Sequence, residues 1–150
     1  MANVYDDYKV GTLDGTYDWD SADQVDCLLL RADGVTPTYV SSHEFVSDML
    51  GHAQNTEISV GGYSRVTSLG GKSVTETLGF ANGLIAKAVF TSLAAGQDVG
   101  AAVLYRFITN DAASPLIAFF NVADTATNGG DIEIRWNGTD GNGIAVRLSE

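Results

Sequence analysis

The chain has 150 residues and a formal net charge of −11, with 8 Lys and Arg against 19 Asp and Glu. This length fits one domain with one sizeable core, so we expect a single domain over residues 1–150. The scarcity of basic residues argues against direct binding to nucleic acid or to an anionic membrane surface. With 17 Gly and 2 Pro, the composition predicts short strands joined by many tight turns.

The first element is predicted to be a short helix from Asn3 to Leu13, within an N-terminal helical segment of residues 1–15. Asn3 can cap this helix, and two aspartates suit the positive end of the helix dipole. Gly15 is expected to end it. That segment is acidic and unlike a secretion signal, and no apolar stretch is long enough to span a bilayer. These features predict a protein that is made and used in a cytoplasm.

A strand is predicted next, from Val25 to Arg31. Cys27, the one cysteine of the chain, lies in its apolar run. We expect Cys27 to be a small buried side chain and not a reactive thiol, and no disulfide can form within the chain. A second helix is predicted from Ser41 to Leu50, because Ser41 and Glu44 have the spacing of a capping box.

From about Thr56 onward the pattern is typical of short strands separated by glycine pairs and Asn-Gly turns. The predicted strands are Thr56–Val60, Tyr63–Leu69, Lys72–Leu78, Leu84–Phe90, Val99–Ile108 and Pro115–Asn121. The last two are apolar on both faces, which is expected of central strands between packed layers.

The C-terminal segment shows the clearest alternation. Two sets of apolar residues alternate with other residues there: Ile132, Ile134 and Trp136, then Ile144, Val146 and Leu148. This pattern predicts an antiparallel hairpin with one buried face. About eight to ten short strands and two small helices predict a mainly β fold, an antiparallel β-sandwich or jelly-roll-like domain with one or two short helices. A partly open barrel is the alternative.

Three segments begin like catalytic motifs without completing them. The run Gly70-Gly71-Lys72-Ser73 ends like a phosphate-binding loop, but Val66 stands where the first glycine is required. The run that starts at His43 begins like a zinc-protease helix, but Ser47 supplies no second ligand. The run around Ser64 lacks the second glycine of a nucleophile elbow. We therefore expect no enzyme, no catalytic residue and no cofactor.

An acidic run precedes and enters the first predicted strand: Asp14, Asp18, Asp20, Asp23 and Asp26. Clustered carboxylates are the ligands that Ca²⁺ prefers. The run lacks the glycine and the closing glutamate of an EF-hand loop. We expect a solvated turn and no metal here, with Ca²⁺ binding across residues 14–26 as the alternative.

A series of short sequence motifs extends along nearly the whole chain. They are Val25-Asp26-Cys27-Leu28-Leu29-Leu30, Tyr39, Ser42-His43-Glu44-Phe45, Gly62-Tyr63-Ser64-Arg65-Val66, Gly71-Lys72-Ser73-Val74, Val103-Leu104-Tyr105, Ser114-Pro115-Leu116-Ile117-Ala118, and Gly129-Gly130-Asp131-Ile132 through Trp136 to Gly143-Ile144. No single run is diagnostic. The ordered set resembles a family of small virion proteins encoded by tailed bacteriophages.

The resemblance implies a non-enzymatic particle component. Its first implication is a capsid cement (decoration) protein that binds the outer surface of the major capsid protein shell and stabilises it. A tail or head-to-tail component is the second. Cement proteins commonly sit as trimers on local three-fold axes, so the resemblance implies a homotrimer on the capsid surface of the virion, assembled in the host cytoplasm.

The contact residues of such a protein are expected in the N-terminal segment. Val4, Tyr5 and Tyr8 are the predicted anchors, because tyrosines are enriched at interfaces. Trp19 is a further candidate by the same enrichment. The alternative is that this helix packs on its own domain, because a small domain needs that apolar area for its core.

Two other functions remain as hypotheses from the sequence. A carbohydrate- or receptor-binding module on the same sandwich would need exposed aromatics and side-chain amides on one face. A hydrolase would use the acidic run, with Asp18 and Asp20 as its carboxylates.

Overall fold

The computed structural model describes residues 2–77, 79–138 and 142–148, and most of its elements are antiparallel strands. The helices are α1 (Asp6–Asp14) and α2 (Val46–Leu50). The strands are β1 (Asn3–Val4), β2 (Val25–Arg31), β3 (Ser73–Thr77), β4 (Phe80–Ala86), β5 (Ala88–Phe90), β6 (Asp98–Arg106), β7 (Leu116–Ala126), β8 (Ile132–Ile134) and β9 (Asn142–Leu148). They form a sandwich-like, mainly β domain with short helices, as predicted.

The first layer is a four-stranded sheet in the order β1-β7-β6-β2, and it is covered on both faces. The run from Cys27 to Leu30 on β2 has no exposed side chain, because alternate residues enter two different apolar clusters. A strand covered on both faces reads as a continuous apolar run and not as an alternation. The structure thus confirms that Cys27 is buried, and burial raises the pKa of its thiol.

The outer face of this sheet is covered by residues 37–55, which we call the cover. Val46 and Met49 of α2 point into the outer apolar cluster, and Tyr39 packs at its margin. Asn55, itself buried, accepts a hydrogen bond from the Thr38 amide at 2.8 Å and donates to the carbonyl oxygens of Thr38 and Met49. The side chain of Asn55 therefore joins the two ends of the cover.

The free edge of β2 is occupied by residues 56–69, which we call the edge segment. The predicted strands Thr56–Val60 and Tyr63–Leu69 are not regular strands. Their backbone pairs with β2 through isolated bridges and single bonds, such as Ile58 N–H to the Leu29 carbonyl at 3.0 Å and Leu69 N–H to the Val25 carbonyl at 2.8 Å. A turn between the two halves prevents a continuous ladder, yet the edge is still protected from pairing with another chain.

The second layer holds a three-stranded sheet, β3-β4-β9, and a strand pair, β5-β8. The predicted C-terminal hairpin is wrong, because β8 pairs with β5 and β9 pairs with β4. Phe90 lies opposite Ile132, and Ala81 lies opposite Leu148, so β8 and β9 follow one line along residues 80–90. Alternation of side chains identifies a strand with a buried face but not the strand with which it pairs.

After Ile134 the chain leaves this line, and the side chain of Trp136 packs between the two layers. The indole is buried, its Nε1–H donates to the Ala86 carbonyl at 2.7 Å, and its ring centroid lies 4.7 Å from that of Phe120. The excursion is thus attached to both layers.

The start of α1 differs from the prediction. Asn3 and Val4 pair with β7 as β1, so the helix begins at Asp6 and Asn3 does not cap it. Pairing with the sheet satisfies the backbone of Asn3 and leaves no reason for a cap there. The end is as predicted, because Gly15 has φ of 81° and closes the helix in the left-handed conformation.

The second helix is shorter than predicted. It begins at Val46, and the proposed capping box of Ser41 and Glu44 is not formed; Asp48 instead accepts a hydrogen bond from the Phe45 amide at 2.9 Å. The carbonyl of Ser41 accepts from the Asp6 amide at 3.1 Å and so joins the cover to α1. Neither described helix is long and apolar enough to cross a membrane.

Candidate binding groove

A groove of about 590 Å³ opens between the second half of β7 and the line formed by β8 and β9. Its floor is apolar and its rim is charged. The floor residues are Phe120, Val122, Ile132, Ile134 and Ile144. The charged rim residues are Asp131, Glu133, Arg135 and Arg147. A space of this volume is within the range of ligand-binding clefts.

The groove exists because β7 is longer than the strand beside it. Pro115–Asn121 was the predicted extent, but β7 continues to Ala126. On the side away from β6, β1 covers only Ala118 and Phe119, so residues 120–126 have no strand partner on that edge within the described ranges. β8 and β9 likewise pair on one side only, among the strands described. Unpaired strand edges therefore border the groove.

The rim charges are held in place by neighbours. Glu133 accepts hydrogen bonds from Lys87 and from Arg135, each at 2.8 Å, and these cations lower the pKa of the Glu133 carboxyl. Arg147 donates from Nε to the Asn82 side-chain oxygen at 2.8 Å, and its guanidinium lies 5.1 Å from the Phe80 ring centroid. The rim is therefore ordered before any ligand arrives.

The groove lining is suited to binding. Its described residues include no histidine, cysteine, serine or lysine, and the hydroxyl of Thr125 donates to the Ala123 carbonyl at 2.8 Å. Asp131 accepts a hydrogen bond from the Ser92 amide at 2.8 Å, and Glu133 is held in ion pairs. An apolar floor between unpaired backbone edges fits an extended chain better than a compact polar substrate.

The four predicted contact residues all lie in the core of this chain. Val4, Tyr5, Tyr8 and Trp19 are all buried. Tyr5 packs against Tyr39 with ring centroids 5.1 Å apart, and burial raises the pKa of its hydroxyl. The alternative, that these residues pack on the chain's own domain, therefore describes their place in the structure.

Tyr8 and Trp19 are buried by close backbone approach. Tyr8 stacks on Tyr17 at 5.4 Å, and burial raises its pKa to about 12. A Cβ at Gly11 would overlap the Tyr17 ring, and one at Gly83 would lie 2.8 Å from the Trp19 indole. Glycine at both positions lets a large ring approach the backbone.

The exposed apolar side chains of α1 lie on its opposite side. Val10 is 60% exposed and Leu13 is 85% exposed, while Phe107 and Ile108, in the loop after β6, are 37% and 43% exposed. We call these four residues the apolar end. Tyr17 lies between the buried side of α1 and the end of β6, because its ring packs on Gly11 and lies 5.8 Å from the Arg106 guanidinium. The sequence marks Val10 and Leu13 only as apolar residues, and only the packing of α1 shows that they face outward.

The acidic run does not converge on one point. Asp23 pairs with Arg106 at 2.9 Å, and Asp26 is buried and accepts from the Ser68 amide at 2.9 Å. The hydrogen bond between Asp18 and Asp20 raises the pKa of Asp18. Within the described residues, no group of three or more His, Cys, Asp or Glu is placed to hold a metal ion.

Two of the motif-like runs have structural roles. Lys72 donates to the Ser21 carbonyl at 2.7 Å, and the chain continues from there into a strand, not a helix. Arg65 binds Glu57 at 2.6 Å and Asp111 at 2.6 Å, which holds the edge segment against the loop after β6 and lowers the pKa of Asp111. We call this ion-pair cluster the Arg65 clip.

The two histidines, His43 and His52, are neighbours in the cover. Their ring centroids lie 5.8 Å apart, and the Nδ1 atoms of His43 and His52 are both buried without a hydrogen-bond partner among the described atoms. Burial, followed by the proximity of His52, lowers the pKa of His43. A spacing of nine residues across a short helix carries no sequence signal for this contact.

Comparison with known proteins gives no match: no protein-family model, no curated protein and no solved structure is similar to this chain. The groove and the apolar end are the features from which a function is inferred.

Proposed function

We propose that the protein is a non-enzymatic structural subunit of a tailed-bacteriophage particle and acts as a capsid cement protein. It binds the outer surface of the shell formed by the major capsid protein, as a homotrimer on the virion surface. The ordered sequence resemblance suggests this role, and the apolar end is the structural observation that supports it.

The apolar end has the chemistry of a protein contact surface. Leu13 and Val10 are on the outer side of α1, whose inner side is already buried through Tyr8 and Gly11. Large apolar side chains exposed on the surface of a small domain are candidates for contact with another protein. The expected shell partner therefore covers the outer side of α1 and the loop that carries Phe107.

A cement protein acts through added interface. Packed DNA places a capsid under internal pressure, and a protein that binds only the assembled shell stabilises that state by mass action. Such a protein needs a rigid scaffold. The four-stranded sheet supplies one, since it is covered on both faces and its β2 edge is occupied.

Binding to undecorated, expanded capsids tests the proposal. Purified protein, mixed with such capsids and sedimented, should bind to saturation. Val10→Ser should weaken binding about tenfold, the effect expected of an interface anchor. Val35→Ser is the matched control. Val35 is also exposed, but it follows the C-terminal end of β2, whereas α1 precedes the N-terminal end. The Val35→Ser variant should bind like the unaltered protein.

Two results would contradict the capsid role. Failure of the unaltered protein to bind any expanded capsid, together with its presence in isolated tails, would assign it to the tail. Equal loss of binding in Val10→Ser and Val35→Ser would show that the apolar end is not the contact.

A further inference from the structure

We propose that the groove binds an extended, net-basic peptide segment of another protein, which adds as a strand along residues 120–126 of β7. This inference concerns a different surface from the apolar end, and it does not depend on the capsid role proposed above.

β1 already pairs with the same edge of β7 that such a strand would use. Asn3 lies opposite Phe119, and the Tyr5 amide donates to the Ile117 carbonyl at 3.1 Å, so Ile117 presents its backbone to this side. By the two-residue period of a strand, Asn121 presents its backbone groups to the same side. A guest strand would therefore continue the line of β1. The register against β6 shifts between Ala101, which lies opposite Asn121, and Val99, which lies opposite Thr125, so β7 is irregular over residues 122–124. At roughly 3.3 Å per residue the open part of β7 is at most about 20 Å long, and a guest strand would pair with it on either side of this irregularity.

The groove floor supplies sites for alternate side chains of the guest. Phe120, Val122, Ile132 and Ile144 are only partly buried in this chain. Alternate residues of an added strand point to the same face, so every second guest side chain would enter the apolar floor while the others face solvent. Main-chain hydrogen bonds would supply affinity, and the floor would select apolar residues at every second position.

Electrostatics favours a basic partner over a second copy of this chain. Each copy carries −11, so two copies repel each other at the distances over which charge acts in solution. That excess belongs to the chain as a whole: beside the groove, Asp124, Asp131 and Glu133 are matched by Lys87, Arg135 and Arg147. A guest with lysines at its solvent-facing positions would gain from the net charge of the chain.

A synthetic peptide of alternating Lys and Val, labelled with a fluorophore, is the probe. Fluorescence anisotropy at low salt should show saturable binding to the full chain, and hydrogen exchange should show new protection within residues 120–126. A peptide with Glu in place of Lys should bind at least tenfold more weakly. Raised salt should weaken binding of the basic peptide.

Variants locate the binding site. Ala123→Lys places a cation and a long side chain at the exposed edge of β7 and should weaken binding at least tenfold. Ala112→Lys is the matched control, because it makes the same change at an exposed alanine in the loop before β7, at the other end of the sheet. It should bind like the unaltered chain. Both positions are exposed, so thermal unfolding of both variants should match that of the unaltered chain.

Three outcomes would overturn the inference. They are absence of binding to the basic peptide, equal binding by Ala123→Lys, and self-association of the unaltered chain that Ala123→Lys abolishes. The last outcome would assign the edge to a second copy.

Discussion

The two layers of this protein differ in how completely they are closed. The four-stranded sheet is covered on one face by the cover and on the other by the second layer, and the edge segment occupies its β2 side. The second layer has exposed residues along β3 and unpaired edges on β8 and β9 among the described strands. The first layer thus carries the stability, and the open side of the domain is where a partner can add.

The same contrast applies within one strand. Leu116–Phe119 of β7 is fully buried, whereas its second half is mostly exposed beside the groove. One continuous strand therefore links the closed layer to the proposed binding edge. Closure of the first half gives the second half a rigid position, which lowers the entropy cost of adding a guest strand.

The largest expected effect comes from shortening matched aromatics in the two layers. Phe119→Ala, in the closed sheet, should lower the free energy of unfolding by about 4 kcal/mol, because the side chain is fully buried and leaves a cavity. Phe80→Ala, in the second layer, should cost about 1 kcal/mol, because Phe80 is partly exposed and packs with Arg147. Urea unfolding of both variants measures this difference. Equal losses of unfolding free energy would contradict the proposed contrast between the two layers.

The next largest effect is expected from removing the Arg65 clip. Arg65→Ala should destabilise the chain by about 3 kcal/mol, since it leaves Glu57 and Asp111 partly buried without their cation. Lys9→Ala is the control, because the Lys9–Asp6 pair is exposed and should contribute less than about 0.5 kcal/mol. Native-state hydrogen exchange should show that the loss is concentrated in the edge segment; uniform loss over both layers would argue against a local clip.

Trp136 contacts both layers, so its substitution measures how strongly the second layer is attached to the first. Trp136→Phe should cost about 2 kcal/mol, because it removes a buried hydrogen bond to the Ala86 carbonyl and some packing on Phe120. The expected result is a lower urea midpoint with an unchanged slope. A fall in the slope instead would mean that the two layers no longer unfold together.

A smaller, pH-dependent effect on the free energy of unfolding is expected from His43, which contacts His52 in the cover. The folded pKa of His43 lies below its ordinary value, so the unfolded chain binds more protons and stability rises with pH. The contribution is present above about pH 6.5, the ordinary value, and is lost as the pH falls through the folded pKa. Of the charged groups that act on His43, His52 opposes protonation and Asp48 favours it.

Urea midpoints of the unaltered chain and of His43→Asn, measured from pH 7.5 to 5, isolate this effect. The unaltered chain should lose more stability than the variant over that range. Parallel curves would show that folding does not lower the pKa of His43.

Much of the architecture was predictable because strand and turn signals are local. The apolar run of β2, the two-sided character of β6 and the first half of β7, and the end of α1 at Gly15 all follow from spacing and residue type. The first residues of α1 and α2 were not predictable, because the N-terminal residues pair with β7 as β1 and the Val46 amide donates to the Ser114 carbonyl, both of which are tertiary contacts. Propensity cannot rank a cap against a sheet contact.

The sequence by itself determined a mainly β, acidic domain with one buried cysteine and an apolar interior, since periodicity and composition act residue by residue. Only the tertiary structure decided which strands pair, that Val4, Tyr5, Tyr8 and Trp19 enter the core, and that β7 extends past β1 to leave an open edge. An alternating strand has one buried face whichever strand it joins. Pairing, burial of a given aromatic and the length of an unpaired edge depend on how distant segments meet.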